Sequence, residues 1–65
     1  MKDFEGKRLR LTYINGQGSV AETGSFVRME DQFLVIISHF NQKLKYINLA
    51  SVKTVEILGE THDER

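Results

Sequence analysis

The sequence predicts an all-β fold, a small five-stranded and strongly bent antiparallel barrel with at most one helical turn at its N-terminus. Three observations carry that expectation. Ile, Val and Thr fill 14 of the 65 positions and proline is absent; branched side chains suit a pleated sheet and lose rotamer freedom in a helix. Apolar and polar residues alternate with period two in several short stretches, as half-buried strands require. Turn-forming residues separate those stretches at short intervals.

The first strand is expected over residues 8–13, where Leu9, Leu11 and Tyr13 point one way and Arg8, Arg10 and Thr12 the other. Asn15-Gly16 ends it as a hairpin signal, because both residues tolerate positive φ. The second strand spans residues 19–29, with Gly24 marking a bulge or a sharp bend. Glu30-Asp31-Gln32 turns the chain into a third strand over residues 33–40. Its first five residues are apolar on both faces, which implies a central position or burial against another subunit. After Asn41-Gln42, residues 43–46 alternate again, with Lys43 and Lys45 expected outward. Leu49-Ala50-Ser51-Val52 reads as a short helical turn, and residues 54–57 as the last strand. The N-terminal residues 1–5 could make one helical turn, too short to stand without packing. Residues 1–58 are thus one domain, and 59–65 a polar tail expected to fray.

A chain this short buries only about 60% of the surface its unfolded form exposes. Small domains often compensate with disulfides, metals or association, but cysteine is absent, so an efficient core or copies of the chain must serve. Nine Lys and Arg balance nine Asp and Glu, which excludes a polycation that coats nucleic acid by charge alone. Residues 1–10 are too charged for a signal peptide, and the longest apolar run, residues 33–37, is far short of the ~20 needed to cross a bilayer. A cytoplasmic protein without a membrane partner is the expectation.

Signatures of catalysis are sparse, and no enzyme activity, catalytic residue, metal or cofactor is expected. Ser38 and His39 are neighbours on a strand and face opposite sides, so they make no nucleophile–base pair. His62-Asp63-Glu64 has ligand chemistry without preorganised geometry. The Asn15-Gly16-Gln17-Gly18-Ser19 stretch lacks the spacing of a phosphate loop and no helix follows it. Glu30-Asp31 reads as a solvated turn. Binding is better supported. Lys7, Arg8 and Arg10 cluster at the start of the first strand and Lys43 and Lys45 on the fourth, with Phe4 and Phe40 as the aromatics least needed by a core. Basic residues near exposed rings suit single-stranded nucleic acid.

The stretch from Leu9 to Ile37 resembles the first motif of Sm-like proteins, which share the SH3-like small-barrel pattern. The matching residues are Leu9, Leu11 and Tyr13, then Gly16, Gly24 with Phe26 and Met29, the acidic turn Glu30-Asp31, and Phe33, Val35 and Ile37. The stretch from Tyr46 to Val55 is similar to the closing strand pair of that fold. The resemblance implies a homo-oligomer built by pairing edge strands, with Leu34, Ile36, Phe40 and Ile47 at the interface. It also implies single-stranded RNA as a ligand, with Asn48 tested first and Lys45 and Tyr46 beside it. Lys7, Arg8, Arg10 and Lys43 complete the candidate nucleic-acid residues. Two positions depart from the family pattern: Leu34 stands where RNA-binding members carry a polar residue, and Ile47-Asn48 replaces their Arg-Gly. A protein-interaction module or small regulatory subunit on the same barrel is the alternative.

Overall fold

The computed structural model describes residues 2–60. The His62-Asp63-Glu64 stretch and most of the expected tail lie outside the described residues. Five antiparallel strands form one sheet: β1 (Lys7–Asn15), β2 (Gly18–Glu30), β3 (Phe33–Ser38), β4 (Leu44–Asn48) and β5 (Val52–Glu60), ordered β4-β3-β2-β1-β5. Short 3₁₀ turns at Lys2–Phe4 and Leu49–Ser51 are the helical elements. None of the described helices is long and apolar enough to cross a membrane.

The alternation read from β1 holds: Leu9, Leu11 and Tyr13 are buried and Arg10 is exposed. These three residues pack with Leu34, Ile36 and Ile47 into one core, flanked by Phe4, Val20, Phe26, Met29, Val52 and Val55. Each Leu or Ile fully removed from water there contributes roughly 1.5–3 kcal/mol. The core joins β1 to β4 although β2 and β3 lie between them. In a flat sheet those strands would stand about 14 Å apart, so the sheet must curl. Register shifts help the curl, because a bulged residue bends its strand and raises the twist. One falls between Phe26 and Arg28, and two fall on the β1–β5 ladder. Strands β4 and β5 form the two edges of the sheet.

Gly24 permits the close approach of β2 and β3. A Cβ placed there would lie 2.7 Å from Ile36 Cδ1 and 2.8 Å from the Ile37 carbonyl oxygen. Strand β3 keeps its predicted two-faced apolarity but shares it within the chain. Leu34 and Ile36 face the core. Val35 is also fully buried, although it faces the outer side, because its cross-strand neighbours Arg28 and Tyr46 meet above it. The Arg28 guanidinium donates a 2.9 Å hydrogen bond to the Tyr46 hydroxyl, and Phe33 packs edge-on against the Tyr46 ring.

Several details differ from the sequence-based expectation. The first hairpin has the expected place but different chemistry. Its central residues are Gly16 and Gln17, the positive φ falls on Gly18 at 121°, and Asn15 acts through its side chain, which accepts from the Gln17 N–H at 2.7 Å. Strand β3 ends at Ser38, not at residue 40, because Gln42 adopts φ 64° and the Ser38 N–H bonds back to the Lys43 carbonyl. Strand β5 runs on through Gly59 and Glu60, which pair with Arg8 and Lys7, so these two residues belong to the sheet and not to a tail.

Candidate functional site

The predicted nucleic-acid residues do not gather on one surface. Lys7, Arg8 and Arg10 lie on β1, whereas Lys45, Tyr46 and Asn48 lie on β4, with β2 and β3 between. Lys7 forms a 2.9 Å ion pair with Glu60, and Arg8 Nε donates to the Glu60 carbonyl oxygen at 3.2 Å. Arg10 is exposed opposite Glu56 on β5 and Thr23 on β2. Tyr46 is bound to Arg28 on the outer face. The Asn48 side chain is taken up locally: its Oδ1 accepts from the Ala50 N–H at 2.9 Å and caps the 3₁₀ turn. Lys43 stands exposed in the β3–β4 loop.

Lys45 does not point outward. Ile47, two residues on, is buried against Leu34, and two-residue periodicity turns Lys45 to the same inner face. There its ammonium donates a 2.8 Å hydrogen bond to Glu22 Oε1, and the Tyr13 hydroxyl donates to the same oxygen at 2.8 Å. The ammonium also lies 5.9 Å from the centre of the Tyr13 ring. The Glu22 side chain is only 12% exposed, against 45% for Lys45. Burial alone would push the Glu22 carboxyl up. Hydrogen bonds from Lys45, Ser38 and Tyr13, together with the Lys45 charge, outweigh burial and hold it below its ordinary 4.5. The same bond to Glu22 raises Lys45, supported by Tyr13. A carboxylate held ionised by three donors is a poor proton acceptor, so this group is a structural clamp rather than a general base.

Glu22, Tyr13 and Ser38 were not singled out from the sequence as site residues. The signal was present for Glu22. It shares the inward parity of Val20 and Gly24, so a charge there had to find partners inside the curl.

The predicted interface residues divide. Leu34, Ile36 and Ile47 are buried in the chain's own core at 0%, 0% and 4% exposure, so their apolarity needs no second subunit. Phe40 is 91% exposed in the β3–β4 loop. Other apolar side chains stand exposed at both sheet edges: Leu44 and Tyr46 on β4, Ile57 and Leu58 on β5.

An open groove of about 500 Å³ lies beside the first half of β2, lined by residues 20–23 and by His39, Phe40 and Lys45. His39 is anchored there, its ring Nε2 hydrogen-bonded to the Ser25 hydroxyl at 2.9 Å and its N–H donating to the Thr23 carbonyl. Among the described residues no cluster of three His, Asp or Glu side chains could hold a metal ion. Comparison with protein-family models, curated proteins and solved structures gives no match.

Proposed function

We propose that this chain is a non-catalytic binding module, an Sm-like small barrel that assembles with copies of itself and takes protein partners. The observation that carries the reading is the pair of open sheet edges, β4 and β5, each bearing exposed apolar side chains. An unpaired edge is a template for another strand, and apolar side chains along it add area to the contact. A 7.5 kDa chain gains from association the stability its small core supplies sparingly. The dispersal of the basic residues, with Lys7 and Lys45 paired to carboxylates, favours protein over nucleic acid as the partner. One observation keeps single-stranded RNA as the second reading: Arg10 is exposed on the outer face of β1, next to Arg8 on the same face.

Native mass measured by light scattering, with the absorbance ratio at 260 and 280 nm, separates the readings. A multiple of the monomer mass with a protein-only ratio supports assembly. A strict monomer at high micromolar concentration defeats it. Binding of an oligouridylate that weakens steeply with salt moves the assignment to RNA.

A further inference from the structure

We propose that the free edge of β2 over residues 19–23 is a docking site for an extended, acidic segment of a partner protein, which adds there as a strand. This rests on the protein-binding reading but not on assembly through β4 and β5.

Strand β2 is longer than either neighbour's contact with it. Its residues 18–25 pair with β1, but β3 pairs only from Gly24 onward. Among the described residues the stretch 18–23 therefore has a partner strand on one side only. Thr23 turns its carbonyl to the open side, where it accepts from the His39 N–H at 2.9 Å. In an antiparallel pair every second residue directs its backbone groups away from the neighbour. Ala21 and Ser19 therefore turn theirs to the same open side, where no strand pairs with them among the described residues.

Three features distinguish this edge from β4 and β5. Exposed edges are usually guarded by charged side chains, as β5 is by Lys53, Glu56 and Glu60; on β4 the charged residue, Lys45, turns inward to Glu22. The β2 edge shows only Ser19, Ala21 and Thr23 beside its opening, while Glu22 is drawn inward by Lys45 and Tyr13. The groove runs alongside it, with room for side chains of an added strand, and Phe40 stands at its wall. Strand addition works in this way, main-chain bonds giving affinity and flanking pockets giving selectivity. The surrounding charge selects the partner. Lys45 lines the groove, Lys43 stands exposed in the loop that carries Phe40, and Lys53 reaches the Ser19 hydroxyl at 3.5 Å. The one carboxylate that lines the groove, Glu22, is already bonded to Lys45. A segment with acidic side chains meets that field favourably.

The test titrates a blocked peptide of about eight residues, alternating glutamate and valine, into the ¹⁵N-labelled protein; a lysine–valine peptide is the control. Saturable shifts at Ser19, Ala21, Thr23 and Phe40, with slowed exchange of the Ala21 N–H, are expected from the acidic peptide only. Ala21→Pro removes that N–H without touching the β1 ladder, and it should weaken binding by about tenfold or more, the worth of a lost main-chain bond with its distorted neighbour. Phe40→Ala and Lys43→Glu, both at exposed loop positions, should weaken it as well. No saturable binding, equal binding of both peptides, shifts confined to β4 or β5, or full binding by Ala21→Pro would each overturn the proposal. So would concentration-dependent protection of Ala21 without peptide, which assigns the edge to a second copy. Tighter occupation of the same amides by an oligouridylate would assign it to RNA.

Discussion

Lys45 on β4 bonds to Glu22 on β2 at 2.8 Å across the intervening strand β3. That contact spans the concave face of the sheet and is possible only because the sheet curls. It also gives Glu22 a pH signature. The carboxyl lies below its ordinary 4.5 in the folded chain, where burial is outweighed by bonds from Lys45, Ser38 and Tyr13. A depressed carboxyl binds fewer protons folded than unfolded, so its stabilisation is complete above about pH 4.5 and is lost as pH falls through the lower folded value. The cation facing Glu22 is Lys45, which its bond to Glu22 holds charged through that range, so the acid loss of this contact follows Glu22. Urea unfolding of Glu22→Gln at neutral pH should show a loss of roughly 1.5–3 kcal/mol, the range for a hydrogen bond to a charged group. Its stability should then fall less than that of the parent between pH 5 and pH 3 (about the span in which carboxylates titrate). Parallel acid limbs in both proteins would show that the contact contributes nothing there.

Gly24→Ala should be costly even though Ala is the better residue elsewhere in a sheet. The added methyl meets a backbone carbonyl at 2.8 Å as well as the Ile36 side chain, and a carbonyl in a paired strand cannot rotate away. Overpacking of this kind costs about 1–3 kcal/mol. A lower urea midpoint at an unchanged slope is the expected result, since the slope follows the surface exposed on unfolding. A midpoint equal to the parent's would mean that β2 and β3 separate freely at this point.

The period-two pattern made β1 and the all-β class legible in advance, whereas the bulge expected at Gly24 falls between Phe26 and Arg28. The pattern was silent on phase in β4, where Lys43-Leu44-Lys45-Tyr46 reads equally well with either set inward. Hydrophobicity argued for burying Leu44 and Tyr46. The structure instead buries Ile47, which fixes the parity of its whole strand and leaves Leu44 and Tyr46 outside at 54% and 47% exposure. A three-strand reach such as Lys45 to Glu22 has no local trace in the chain, because it depends on curvature summed over bulges in several strands. The candidate interface set suffered from the same limit. Leu34 and Ile36 looked surplus to one barrel face until the curl used them.

Asn48 offers a direct contrast between a reader of RNA and a structural cap. Its side-chain oxygen accepts from the Ala50 N–H, and an aspartate supplies the same acceptor. Thermal unfolding should therefore show Asn48→Ala destabilised by about 1 kcal/mol, the usual worth of such a cap, and Asn48→Asp close to the parent. A capping role leaves any oligouridylate binding by Asn48→Ala unchanged once stability is matched. Selective loss of RNA binding with no change in stability would return Asn48 to a binding site.

The two sheet edges make a prediction about the geometry of assembly. If β4 of one copy pairs with β5 of the next, each contact uses one edge of each kind, and the arrangement is head-to-tail. Lysine on an edge opposes strand pairing. Leu44→Lys, at a site 54% exposed, damages β4 only, and Ile57→Lys, 46% exposed, damages β5 only. Each variant alone should then lose assembly in light scattering while circular dichroism stays that of the parent. Mixed together, the intact β5 of the first and the intact β4 of the second can still meet, once per pair. The mixture should therefore run as a heterodimer and go no further. Self-pairing of one edge gives a different pattern: one variant stays assembled alone, and mixing restores nothing. An unaltered mass for both variants would place the contact away from these edges altogether.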